Sequence, residues 1–262
     1  MNEEIARLSP DTIDFFRTYF DKIMVITIPR ATERQEKVVR KLEGLPFEFF
    51  YGVDKLTLDP EKILADNIYN HSIAKKNHRY GKGLELGEVA CSLSHRKVYE
   101  HVIEKGYQRV LIFEDDLVPL LENLHEIRKT FSELPLDWEM IYLGYSKYET
   151  LTAGMKIKQH FYSLLSHLGL IKWSPLMVKN LLPRPFSTHL RKAGFHDLLH
   201  AYAVNAEACR KLISAQTPVV FIADPLISQL IMNGKLNAFT TMPQFFTQEQ
   251  FTDPLYKSLI HH

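Results

Sequence analysis

Residues 109–119, RVLIFEDDLVP, run four apolar side chains (Val110, Leu111, Ile112 and Phe113) directly into three carboxylates, Glu114, Asp115 and Asp116. An apolar run of this length, rich in branched residues, is the pattern of a strand buried on both faces, as in a parallel sheet covered by helices. Carboxylates are rarely buried without partners. Adjacent like charges also repel, by roughly 1 kcal/mol at about 4 Å in water and by more where water is excluded. Two readings account for three acids standing together. They form a polar strand end that caps the following helix, or they hold a hard divalent cation, which takes oxygen ligands and keeps positions for substrate phosphates.

The remainder of the chain supplies the alternation that such a sheet requires. SPDTIDFFRTYF reads as a helix with Ser9 as N-cap and Pro10 in its first turn. KIMVITI is a strand, ATERQEKVVRKLEG a charged helix that Gly44 ends, and PFEFFYGV a second strand closed by Gly52 and Asp54. Asp59-Pro60 opens another helix, and LELGEVACSLSHRKVYEHVIEKG is the longest helical pattern, ended by Gly106. After the acids come a helix around 120–134, a strand WEMIYLG, and HAYAVNAEACRKLISA, which reads as strand, Asn205 cap and helix. TPVVFIADPLISQLIMNG repeats that design: an apolar strand, Asp224-Pro225, then a helix to Asn233-Gly234. The pattern predicts one α/β domain over residues 1–262, with a single mostly parallel sheet and helices on both faces. Ligands gather at the C-terminal strand ends of such sheets. A site is therefore expected in the loops after Ile28, Val53, Phe113 and Ala223, three of which carry an acid.

Several classes drop out. No glycine-rich phosphate loop of the P-loop or dinucleotide type occurs. The net charge of +1 gives no reason to expect a nucleic-acid partner. The opening MNEEIARLSP is not a signal peptide, and no apolar run approaches the roughly 20 residues of a membrane helix. Cys91 and Cys209 fall in helical patterns and read as buried free thiols, which suits a reducing compartment. A cytoplasmic protein is the expectation; the closing His261-His262 carries no weight in it.

One segment breaks the alternation. Between Glu149 and Asp197 there is no acid, while Lys156, Lys158, Lys172, Lys179, Arg184, Arg191 and Lys192 fall inside, interleaved with Trp173, Leu176, Met177, Leu181, Leu182 and Phe186. It reads as an irregular excursion over about 150–196 with solvated charges. The alternative is a basic, apolar surface, over 156–192, for an anionic or lipid-linked partner at a membrane face.

GEVACSLSH (87–95) followed by LIFEDDLV resembles glycosyltransferase family 25, the lipooligosaccharide-biosynthesis and procollagen galactosyltransferase-like family, whose pattern is G-E-x-G-C-x-x-S-H and then a strand ending E-D-D. VITIPRATER is similar to that family's I-N-L-x-R-x-x-x-R opening, with Arg30 and Arg34 in the arginine places and Thr27 in the asparagine place. FYGVDK resembles its A-V-D-G turn, keeping Asp54 and replacing the glycine by Lys55, and Ala90 stands for the second glycine of the helix motif. HAYAVNAEACRKL and FIADPLISQL match the late motifs, so the order holds from about Lys22 to Gly234.

The resemblance implies a GT-A-type fold, a UDP-sugar donor, Mn²⁺ or Mg²⁺, and inverting transfer of a hexose, galactose by family analogy, to a glycan or lipid-linked glycan such as lipopolysaccharide. It implies Asp116 as the most direct metal ligand, with Glu114 beside it. Glu114 and Asp115 would orient metal-bound water or the donor's ribose and sugar. Arg30 and Arg34 are placed to meet phosphate or are exposed helix-start residues; Asp54 is a ribose or uracil contact or a local turn residue. Asp224 is the expected base for the acceptor hydroxyl or an N-cap before Pro225, with Asp197 next in line. Glu88 and His95, seven apart, share a helix face and would look toward the donor, although a lone helical histidine also serves structure. A metal-dependent phosphatase or nuclease fits less well, because no aspartyl-phosphate loop is present and no lysine follows the acids at nuclease spacing. A non-catalytic sugar-nucleotide or glycan binder of the same fold is the remaining alternative, kept open by Thr27, Lys55 and Ala90.

Overall fold

The structure, a computed structural model, describes residues 7–78 and 80–259; the opening MNEEIA and the closing His261-His262 lie outside them. Ten strands are present among these residues: β1 (Lys22–Thr27), β2 (Glu48–Tyr51), β3 (Arg109–Glu114), β4 (Leu117–Pro119), β5 (Met140–Ser146), β6 (Arg184–Pro185), β7 (Leu190–Lys192), β8 (Asp197–Asn205), β9 (Ala238–Thr241) and β10 (Phe246–Gln248). Eight of them form one sheet in the order β2-β1-β3-β8-β5-β9-β7-β6, while β4 and β10 pair separately. Strands β2, β1 and β3 are mutually parallel, as are β5 and β9. The sheet becomes mixed because β8 runs antiparallel to both β3 and β5, and β7 antiparallel to β9.

Period-two burial divides the strands between two cores. Ile23, Val25, Leu111 and Phe113 face one side, against Phe15 and Phe16 of α1 (Pro10–Tyr19), Val38 of α2 (Thr32–Lys41) and Phe131 of α6 (Ile127–Ser132). Met24, Ile26, Val110 and Ile112 face the other, against Val98, Tyr99 and Val102 of α5 (Leu86–Lys105), Leu212 of α9 (Ala206–Ala215) and Ile227 of α10 (Ala223–Met232). The expected strand buried on both faces is therefore β3. The helix ends follow local chemistry: Ser9 caps α1, Asn205 caps α9, and Gly106, at φ +72°, closes α5 in a left-handed turn that a side chain disfavours.

Four expectations are corrected. TPVVFI joins no sheet; Val219 makes one isolated bridge to Tyr69 and packs with Ile63, Val89 and Leu93 under the short helices α3 (Pro60–Ala65) and α4 (His71–Asn77). Its apolar residues are buried by neighbouring helices, which a strand pattern cannot be told from by periodicity. Helix 120–134 shrinks to a 3₁₀ turn at Leu124–Glu126 and α6, because Leu117–Pro119 pairs with β10 and the Leu120 amide bonds Phe245. The 150–196 excursion is largely ordered. It holds α7 (Ala153–His167), α8 (Pro175–Lys179, with Ser174 as cap) and the β6–β7 hairpin, which joins the sheet through β9. Finally, Cys209 is buried as expected, whereas Cys91 is partly exposed.

Candidate active site

From β1 the chain passes to β2 on one side and reaches β3 on the other, so the loops diverge outside Thr27 and Glu114. A crevice opens at such a switch point, at the carboxyl ends of the strands. Thr27, Arg30, Arg34, Asp54, His95, Glu114, Asp115 and Asp116 all line one cavity of about 140 Å³ there. Cys91, Ser94, Gln248 and Tyr256 line it as well.

The wall from β2 depends on a close approach. A Cβ on Gly52 would lie 2.5 Å from Ser94 Oγ, so only glycine lets the strand end meet α5. Ser94 Oγ then accepts from the Val53 amide at 2.8 Å and donates to the Ala90 carbonyl at 2.8 Å. This clamp sets Asp54, whose carboxylate accepts from the Leu56 amide and from Arg30 Nε at 2.6 Å. The Arg30 pairing, strongest of its influences, holds the Asp54 carboxyl below its ordinary range.

The three acids point in different directions. Asp115 accepts from Thr27 Oγ1 at 2.7 Å and from Arg34 at 2.8 Å, so both its oxygens are tied; it anchors Arg34 rather than standing free for chemistry. Arg34 also donates to the Lys257 carbonyl at 2.6 Å and lies 5.1 Å from the centre of the Tyr256 ring. Asp116 accepts from Tyr256 Oη at 2.6 Å and from the Gln248 amide at 3.1 Å. Glu114 accepts from the same Gln248 amide at 3.2 Å and faces His95 Nε2 at 3.2 Å. Burial pushes all three carboxyls up, and for Glu114 the neighbouring Asp116 adds to it, while Arg34 and the hydrogen bonds pull Asp115 and Asp116 back. These carboxylates are thus held near one another with less positive charge than they need.

His95 is buried, and burial lowers its pKa to about 4, so it is neutral at physiological pH. Its Nδ1 lies 2.8 Å from Tyr202 Oη, which lies 3.0 Å from Tyr99 Oη. The histidine is thereby both structural and part of the cleft wall.

Two expected residues sit elsewhere than the sequence suggested. Glu88 does not line the cavity: its carboxylate accepts from the Glu85 amide at 2.7 Å as half of a capping box, the need of a helix start outweighing any turn toward the cleft. Asp224 likewise is not among the residues that line the cavity; it ends no strand and is not an N-cap. Ile222 holds that position, and Asp224 lies in the first turn of α10, accepting from the Leu198 amide at 3.0 Å. Burial raises its carboxyl, partly offset by that amide, and its charge is felt at His95 and Glu114. Asp197 pairs with Lys147 at 2.5 Å. Sequence reasoning missed Gln248 and Tyr256, which carry no local motif and reach Asp116 from more than 130 positions away.

Residues 20–227 match the family described as glycosyltransferase family 25 (LPS biosynthesis protein). Procollagen galactosyltransferase 1 of Danio rerio is 28% identical over 130 residues, covering 48% of this chain and 21% of that protein. The inactive glycosyltransferase 25 family member 3 of Homo sapiens is 30% identical over 131 residues, 48% of this chain and 22% of that protein. The matched stretch thus spans about a fifth of the length of these relatives. Among solved structures, mouse xyloside xylosyltransferase 1 in its apo form aligns at TM-score 0.34 and 13% identity, covering 81% of this chain and 59% of that one.

Proposed function

This chain belongs to glycosyltransferase family 25, and from that membership we propose that it transfers a hexose, galactose by analogy with its named relatives, from a UDP-sugar to a hydroxyl of a glycan acceptor. The observation that carries the reading is the Glu114–Asp116 cluster at the end of β3, in the β1/β3 crevice, with Arg30 and Arg34 beside it. The donor set fits a hard divalent cation, Mn²⁺ or Mg²⁺. Like carboxylates about 4 Å apart repel by roughly 4 kcal/mol at an effective dielectric near 20, and Arg34 compensates Asp115 more fully than it does Glu114 and Asp116. Glu114 and Asp116 would hold the ion, which when bound supplies Lewis-acid neutralisation of charge on the departing diphosphate.

The chain's own groups account for the remainder. Arg34, fixed by Asp115, and Arg30, fixed by Asp54, present guanidinium edges for phosphate. Asp224 takes the acceptor's proton as its oxygen bonds to the anomeric carbon and the carbon–oxygen bond to UDP breaks, with inversion. The cavity, about 140 Å³ and lined in part by Tyr256, Ser258 and Leu259, is smaller than the roughly 300–1,000 Å³ of small-molecule sites, so on this reading it widens when a nucleotide-sugar enters.

The test is calorimetric titration of UDP with and without Mn²⁺, on the native chain and on Asp116→Ala. Metal-dependent binding that vanishes in the variant is expected. UDP that fails to bind under any metal condition would overturn the donor assignment. Binding without consumption of any UDP-sugar would instead mark a non-catalytic binder, the reading favoured by the inactive human relative. Because Tyr256 competes for Asp116, Tyr256→Phe should tighten Mn²⁺ binding by about tenfold, the worth of one hydrogen bond to a charged group; unchanged affinity would show that the tyrosine merely rests there.

The acceptor is proposed to be lipid-linked, met at an anionic membrane face. No helix among the described residues is long and apolar enough to cross a membrane. The support lies instead on α7 and its C-cap residue Leu168, where Ile157, Phe161, Leu164 and Leu168 are 57–70% exposed at 4-3-4 spacing.

A further inference from the structure

The deep wall of the cleft carries a second set of ligands. Cys91 and His95 stand four apart on α5 and share one helix face. Glu114 meets them from the end of β3, its Oε1 3.2 Å from His95 Nε2. A sulfur, a ring nitrogen and a carboxylate oxygen from these three lie within 4.8 Å of one another. We propose that Cys91, His95 and Glu114 form a site for a borderline-soft divalent cation, zinc foremost, separate from the hard-cation pair Glu114 and Asp116 and mutually exclusive with it through the shared Glu114.

The chemistry separates the two sites. Thiolate and imidazole select zinc over magnesium or manganese, which prefer carboxylates and water. Zinc with about 2.3 Å to sulfur and about 2.0 Å to nitrogen or oxygen sets its ligand atoms roughly 3.5 Å apart; His95 Nε2 and Glu114 Oε1 already stand at 3.2 Å, and a torsion of Cys91 brings its sulfur in from within 4.8 Å. Three protein ligands leave a fourth position open toward the cleft, and Cys91 is partly exposed there. The outer shell is already built: His95 binding through Nε2 keeps its proton on Nδ1 and donates it to Tyr202 Oη, 2.8 Å away, and Tyr202 is held in turn by Tyr99. Binding replaces the Cys91 S–H bond with a sulfur–metal bond and releases that proton to solvent. Nearby Asp116 and Asp224 favour a cation over a proton in the same place. The site stands on this geometry alone; only its consequence, that zinc withholds Glu114 from the hard cation and slows transfer, rests on the proposed activity.

Cobalt(II) added to the metal-free full chain, without nucleotide, tests it, because a thiolate-to-cobalt charge-transfer absorption reports sulfur coordination directly. The absorption is expected in the native chain and in Asp116→Asn, lost in Cys91→Ser, and displaced by Zn²⁺. Tyr202→Phe should weaken cobalt binding by roughly 10–100-fold with the absorption retained at saturation. No absorption in the native chain, or one that survives Cys91→Ser and so belongs to Cys209, overturns the proposal. Should Cys91→Ser not fold, alkylation of the native chain decides: Zn²⁺ should protect Cys91 in peptide maps, and unprotected Cys91 overturns the site. Loss of UDP binding alone would leave all of these outcomes unchanged.

Discussion

Asp224→Asn is expected to slow sugar transfer by roughly 10²–10⁴-fold, the usual contribution of a general base, while UDP binding and thermal stability stay as in the native chain. Asparagine keeps a carbonyl oxygen where the Leu198 amide donates, so the contact that ties β8 to α10 survives. What it removes is proton acceptance. The native carboxyl lies above its ordinary range because burial disfavours its charged form more than the Leu198 amide favours it. Only the ionised form accepts a proton, so transfer should rise with pH through that raised pKa, and its acid limb should lie above the ordinary carboxylate range. The limb should disappear from the residual rate of Asp224→Asn. Leu198, at φ +70°, occupies a left-handed conformation that a leucine adopts only under constraint; its amide is what aims Asp224. Asp197, engaged with Lys147, is expected to matter less, and Asp197→Asn should leave the acid limb in place. Steady-state rates against pH for the three proteins check this. A full-rate Asp224→Asn would move the base elsewhere.

The acid cluster and the arginines were legible because their positions follow from short-range rules. A buried strand must end in a loop at the sheet edge; Thr27 and Glu114 are the last residues of β1 and β3, and Arg30, Arg34, Asp54, Asp115 and Asp116 come soon after strand ends. Helix starts were equally legible where Ser9, Asp59 and Asn205 cap them. Asp224 is expected at a strand end, and the structure puts it inside the first turn of α10 instead. VVFI has the apolar run of a strand, but Pro218 offers no amide to a ladder, and the Val219 amide goes to Ile68. Glu88 departs in the opposite way: its helical spacing to His95 predicts a shared outlook, whereas a carboxylate three residues into a helix has a nearer use at the amides of its own start. Gln248 and Tyr256 lay beyond any such rule. Gln248 is delivered by antiparallel pairing of β10 with β4, and Tyr256 by the path of a segment without regular structure. The antiparallel direction of β8 was hidden for the same reason, since a local pattern does not encode its partner.

The second large effect is expected on α7. Replacing Phe161 and Leu164 together by aspartate should reduce binding to vesicles of phosphatidylglycerol and phosphatidylcholine by about 10²-fold or more, since burying each such side chain contributes roughly 1.5–3 kcal/mol. The helix presents two opposed stripes. Met155, Gln159, Tyr162 and Ser166 turn inward: Met155 and Tyr162 pack around Met177 and Leu182, Gln159 donates to the Val178 carbonyl, and Ser166 to the Trp173 carbonyl. Ile157, Phe161, Leu164 and Leu168 turn outward with the same spacing, joined by Leu170 beyond the helix end. Lys156 and Lys158 flank Ile157 in sequence and Lys172 follows the helix, in a stretch with no acid from 150 to 196; Lys158 lies over the Tyr162 ring and Lys172 donates to the Lys76 carbonyl. Apolar side chains flanked by lysines suit an anionic lipid face better than a protein partner of mixed charge. The charges give the second arm: Lys156→Ala with Lys158→Ala should weaken binding by about 1 kcal/mol per lysine on anionic vesicles and leave phosphatidylcholine vesicles unaffected. UDP affinity should be the same in every variant, because the stripe and the β1/β3 crevice share no residue. Sedimentation with vesicles measures both arms. Native protein that stays in the supernatant would overturn the lipid assignment, and native protein that elutes as a dimer, its partner lost in the aspartate variant, would assign the stripe to contact between copies of the chain instead.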